Sequence, residues 1–205
     1  MNRITAVRRA MMVAVVALAA LVLAAGCGNG SDMGGMNHGG QSASSVPASA
    51  PFNEADVQFL RIMIPHHQQA VEMASLAETR ASDPELKQIA AQIKAAQDPE
   101  IKTMTGWLKA WGQPTAPSGG HNMSGMAGMP GMMSDAEMAQ LRAAKGVDFD
   151  RMFARMMIAH HNGAIQMARD EQAKGKNPDA KALAATIAKT QAAEVAQLQK
   201  ILDRL

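Results

Sequence analysis

A chain of 205 residues with one cysteine, Cys27, has no means of forming an intrachain disulfide or a cysteine-based zinc site. Its formal net charge of +2 rests on the first residues, because without Arg3, Arg8 and Arg9 it falls to −1. That balance gives no electrostatic reason to expect nucleic-acid binding, and the residues left after a leader suffice for one domain with tails.

The chain begins as a targeting segment. A basic front precedes an apolar run from Ala10 to Ala25. At about 16 residues the run is short of the roughly 20 that a membrane span needs, and it reads as a secretory signal over residues 1–26. Ala25-Gly26 before Cys27 looks like a bacterial lipobox, although Leu23 sits one place further out than usual. The expectation is a lipid anchor at Cys27, outside the cytoplasm, with plain secretion as the alternative. Residues 27–52 are rich in Gly, Ser and Ala and read as a flexible tether.

Two stretches then write the same pattern. "MIPHHQQAVEMA" at Met63–Ala74 and "MIAHHNGAIQMA" at Met157–Ala168 each carry adjacent histidines with a Met six residues after the second. A shift of 94 residues pairs Asp56 with Asp150, Phe59 with Phe153, His66 and His67 with His160 and His161, and Met73 with Met167. It goes on to pair Ile93 with Ile187, Gln97 with Gln191 and Glu100 with Glu194, which marks an internal duplication.

Each repeat reads as a helical hairpin. Asn53 caps a predicted helix to about Ala81, and Asp83-Pro84 opens a second to about Trp111. Residues 112–147 form a Met-rich connection, in which Ser134 and Glu137 make a capping box for a short helix ending before Gly146. Repeat 2, residues 148–205, gives a helix from about Phe149 to Ala173 with Gly175 as its stop. Asn177-Pro178 opens the last, which ends near Arg204. Pro65 and Pro99 face Ala159 and Ala193 in the repeat, so both helices should continue through them. The expected fold is all-α, a four-helix bundle from two duplicated hairpins over residues 53–205. Its expected core includes Phe59, Ile89, Ile93, Trp107, Phe153, Leu183, Ile187 and Ile201.

At about 100° per residue, Met63, His66, His67, Ala70 and Met73 share one broad helix face, as do Met157, His160, His161, Ala164 and Met167. Imidazole and thioether together suit copper, especially Cu(I), and by extension Ag(I). Neighbouring histidines point about 100° apart, so one of each pair ligates while the other packs or hydrogen-bonds; His66 and His160 lie nearer Met73 and Met167. Gln97, Glu100, Gln191 and Glu194 could orient the imidazoles or simply form a polar layer. Met63, Met73, Met157 and Met167 serve equally as core filler. Met123, Met126, Met129, Met132 and Met133 beside His121 have no core to fill in their Gly-rich segment, and Met33, Met36 and His38 sit similarly in the tether. They suit soft-metal capture, with an adaptable surface or oxidant scavenging as alternatives.

In "MIPHH" and "MIAHH", the following "AVEMA" and "AIQMA", and the downstream "QDPE" and "QAAE", the chain resembles the domain of unknown function 305 family. The resemblance covers about residues 53–111 and 147–205. It implies a ferritin-like helical bundle, secreted or lipid-anchored, with some members tied to copper binding and resistance; by position it points to His66, His67, Met73, His160, His161 and Met167. A di-iron oxidase would need Glu-x-x-His units, and none occurs in the sequence. No nucleophile or phosphate loop sits in a recognisable setting either, so the expectation is not an enzyme. The leading expectation is an extracytoplasmic protein that sequesters or transfers copper, possessing a metal ion and a copper-handling protein as partners. The alternatives are a metal-independent envelope module and a ferritin-like redox enzyme.

Overall fold

The computed structural model describes residues 50–115 and 129–205, which fall within a unit spanning 43–205; a second unit, 1–42, lies outside them. The described residues form five α-helices and no strand: α1 (Glu54–Arg80), α2 (Pro84–Ala110), α3 (Asp135–Ala143), α4 (Gly146–Lys174) and α5 (Pro178–Arg204). Four begin at side-chain caps, each satisfying backbone N–H groups that a helix start leaves open. Asn53 and Asp56 form a reciprocal capping box on α1, and Ser134 and Glu137 do the same on α3. Asp83 accepts from Leu86 N at 2.9 Å, and Asn177 from Asp179 N and Ala180 N at 3.0 Å, each followed by a proline in the first turn. α1 and α2 run unbroken through Pro65 and Pro99.

One boundary differs from expectation. α4 begins at Gly146, about three residues before Phe149, and its N-cap Lys145 makes no side-chain capping bond. With no capping residue there, the sequence carried no start signal.

α1 packs along α2 and α4 along α5, so each repeat is a hairpin, and the hairpins meet chiefly through α1 and α4. Two apolar clusters fill the interior. One gathers Met73, Ile93, Phe149, Phe153, Met157 and Leu198; the other gathers Leu60, Met63, Met104, Trp107, Leu108 and Ile187. Burying side chains of this size contributes about 1.5–3 kcal/mol each. Leu183, expected in the core, is only half-buried and packs against the second cluster from outside.

Two aspartates fasten the hairpins to one another. Asp150 on α4 accepts from Ser82 N and Asp83 N, at 3.1 and 3.0 Å, and from the Ser82 hydroxyl. Its repeat counterpart Asp56 on α1 accepts from Lys176 N and Asn177 N at 3.1 and 2.9 Å. Both aspartates are fully buried. Each therefore closes the turn of the opposite hairpin. The sequence paired these residues in the repeat but assigned them no role, because their partners are distant in the chain.

Candidate metal centre

Helical spacing turns His66 on α1 and His160 on α4 toward each other at the seam, while His67 and His161 reach Glu100 on α2 and Glu194 on α5. All four are fully buried. The His66 and His160 rings meet across the seam with centroids 3.7 Å apart, and His160 and His161 lie 6.2 Å apart.

Hydrogen bonding fixes three tautomers. His67 Nε2 lies 2.8 Å from Glu100 Oε2, and His161 Nε2 lies 2.7 Å from Glu194 Oε2. His66 Nε2 lies 3.1 Å from the Pro130 carbonyl oxygen. A carboxylate or carbonyl only accepts, so Nε2–H is the donor in each case, and in the neutral ring Nδ1 then keeps the lone pair. The Nδ1 atoms of His66, His67 and His161 are buried without a partner, as are both ring nitrogens of His160. Leaving a buried polar atom unpaired costs about 1–3 kcal/mol, which calls for a ligand or another explanation.

Burial pushes the His66 imidazolium down to about 3, with the nearby His67 and His161 adding to the shift and the Pro130 carbonyl opposing it. Burial likewise holds His160 well below the ordinary histidine range, aided by His66, His161 and His67. Both rings are therefore neutral at physiological pH. A metal reaching them has no proton to displace.

The end of the Met-rich connection lies on this cluster. The Gln69 amide donates to Met133 O and accepts from Met133 N, both at 2.8 Å. Across the seam, Gly131 has φ +79, and a Cβ there would stand 2.7 Å from the Ala159 carbonyl oxygen and 2.9 Å from His160 Cα. At Gly163 a Cβ would land on the Pro130 carbonyl. Only glycine permits both the left-handed backbone and the close crossing. Met129, Met132 and Met133 are half-buried, and Met133 packs against the first apolar cluster.

The remaining residues scatter. Met63 sits in one apolar cluster and Met73 and Met157 in the other, all fully buried. Met167 is half-buried and lines a groove with Phe59, Ile62 and Glu171. Gln97 and Gln191 are buried, and both polar atoms of Gln97 lack partners. His121, Met123, Met126, Cys27, Met33, Met36 and His38 lie outside the described residues. Sequence reasoning missed the Pro130 carbonyl, Gln69 and the two glycines. The mismatch of Gln69 with Gly163 in an otherwise matched repeat was the available signal.

Among the described residues no three His, Cys, Asp or Glu side chains converge to hold an ion as they stand. A closed tetrahedral zinc site or a carboxylate di-iron centre requires such convergence. Neutral imidazole lone pairs with thioethers in the neighbouring clusters fit a soft, low-coordinate cation better. Glu100 and Glu194, one atom network away through His67 and His161, would offset its charge.

The arrangement defines an all-α protein with a paired-histidine cluster on a duplicated seam. The profile of the family described as "Domain of unknown function (DUF305)" matches residues 56–202, and the chain belongs to that family. A family structure from Streptomyces coelicolor, described as a candidate secreted protein, is 34% identical with a TM-score of 0.67, over 73% of this chain and 93% of that one. A DUF305 fragment from Deinococcus radiodurans is 32% identical with a TM-score of 0.68, over 76% and 99%. CopM in its Cu(I)-bound form is 32% identical with a TM-score of 0.60, over 73% and 96%; it is also known in Cu(II)- and Ag-bound forms. No curated protein matches the chain.

Proposed function

We propose that this chain is an extracytoplasmic copper-binding protein that holds Cu(I), and Ag(I) as its chemical analogue, through histidine and methionine for sequestration, resistance or transfer. The observation that carries this reading is the seam cluster: four fully buried imidazoles, each with an unpartnered nitrogen. The likeness to CopM, crystallised with copper and silver, supports it. In this reading the chain binds and does not catalyse. Its two hairpins make a ferritin-like four-helix bundle, anchored to the membrane by lipid on Cys27 or secreted. The methionines around His121 collect the ion and a copper-handling protein receives it.

A Cu(I) titration of the mature chain against a chromogenic chelator tests the proposal. The double variants His66→Ala/His67→Ala and His160→Ala/His161→Ala should each weaken binding, and Met123→Leu/Met126→Leu should slow capture. If both histidine variants retain wild-type affinity and stoichiometry with helicity intact, the site assignment fails.

A second reading has its own observation. Met63, Met73 and Met157 behave as core, and among the described residues no ready-made set of His, Cys, Asp or Glu ligands converges. A metal-independent envelope module with structural histidines would then lose stability in those variants without any change in copper affinity.

A further inference from the structure

The duplicated motif suggests two equivalent sites, one per repeat, but the structure breaks that equivalence at one level. Positions 69 and 163 correspond in the repeat, yet one is glutamine and the other glycine. Residues 129–133 cross the seam at that level. On the α4 side the crossing needs the bare backbone of Gly163 and the left-handed Gly131. On the α1 side it is held by two Gln69 hydrogen bonds to Met133 and by His66 donating to Pro130 O. His160, the counterpart of His66, has no such bond.

We propose that residues 129–133 are a strap that makes the His66–His160 pair into one asymmetric soft-metal site, taking a single monovalent cation and seated by Gln69, Gly131 and Gly163. This inference rests on the copper-binding reading and adds its stoichiometry and its positioning residues. The His66 and His160 rings lie against each other with centroids 3.7 Å apart, so an ion bound at one ring changes the surroundings of the other, and the pair acts as one locus in place of one site per repeat. The strap also covers His66 from one side, so an ion leaving the cluster must pass or lift it. Gln69 and Gly163 act through the strap and need not touch the ion.

Ag(I) is a diamagnetic probe that does not change oxidation state under these conditions. The full mature chain, labelled with nitrogen-15 at histidine, is titrated with Ag(I) and followed through its imidazole resonances. His66 and His160 should shift together and saturate together at one equivalent for the cluster. In Gln69→Ala and in Gly163→Ala, transfer of Ag(I) from the cluster to a competing chelator should quicken about tenfold, the size expected for losing one or two neutral hydrogen bonds. Gly163→Ala risks misfolding, so Gln69→Ala with unchanged helicity is the deciding variant. Independent saturation of the two rings, or wild-type transfer in folded Gln69→Ala, overturns the strap while leaving copper binding intact. If no imidazole responds to Ag(I), the copper reading falls and the strap falls with it.

Discussion

Glu171 stands where the first repeat has Ala77, which sets an extra carboxyl against Asp56. Burial pushes its pKa up to about 8, with Asp56 adding and Lys181 opposing. The unfolded chain releases that proton near 4.5, so between about 4.5 and 8 the native state holds a proton the unfolded state lacks. Glu171 therefore stabilises fully below that window, and its contribution is lost as pH rises through about 8. The depressed His66 and His160 have the opposite sign, losing stability as pH falls from 6.5. In Glu171→Gln, urea midpoints should be flatter from pH 6.5 to 8 and should fall more steeply with acid from 6.5 to 4.5, where the carboxyl no longer opposes the histidines; an unaltered alkaline slope contradicts the carboxyl pair. Glu100 and Glu194 each fix one imidazole through Nε2. Replacing either by glutamine should weaken Cu(I) binding about 10- to 100-fold in chelator competition, with helicity preserved.

At the scale of helices, caps and prolines set the measurable effects. Asp150 takes three donors from the α1–α2 turn, and Asp150→Ala strands two backbone N–H groups there. The expected cost is about 2–4 kcal/mol, read as a lower urea midpoint with an unchanged m-value. Pro99 is exposed in the middle of α2, where the repeat has Ala193. A proline in a helix interior costs about 3 kcal/mol relative to alanine. Pro99→Ala should therefore raise the melting temperature, and a fall would mean that the proline's geometry is used by packing. The helices were legible because their signals are local: Asn53, Asp83, Ser134 and Asn177 act on residues two or three places away. α4 was misplaced at its start because Lys145 offers no such signal.

For the whole molecule, a ligand that binds only the native state adds about 2.7 kcal/mol at a hundredfold excess over Kd. Cu(I) or Ag(I) should thus raise the melting temperature of the wild type and not of His160→Ala/His161→Ala; an equal shift in both would move the site elsewhere. The duplication and the four histidines could be read from spacing alone, whereas spacing left Glu100 and Glu194 open between orienting the imidazoles and forming a polar layer. What spacing could not show is how His66 and His160 meet, or that Pro130 answers one of them, since those facts depend on how two hairpins and a connection settle together. The same limit hid the reciprocal work of Asp56 and Asp150. Each half of the chain carries the part that completes the other, so neither has a finished turn while it stands alone. The halves are then mutual prerequisites in folding and should melt as one cooperative unit. Both tryptophans, Trp107 and Trp111, belong to the first half, so their fluorescence reports that half while far-ultraviolet dichroism reports both. The two signals should fall along a single curve.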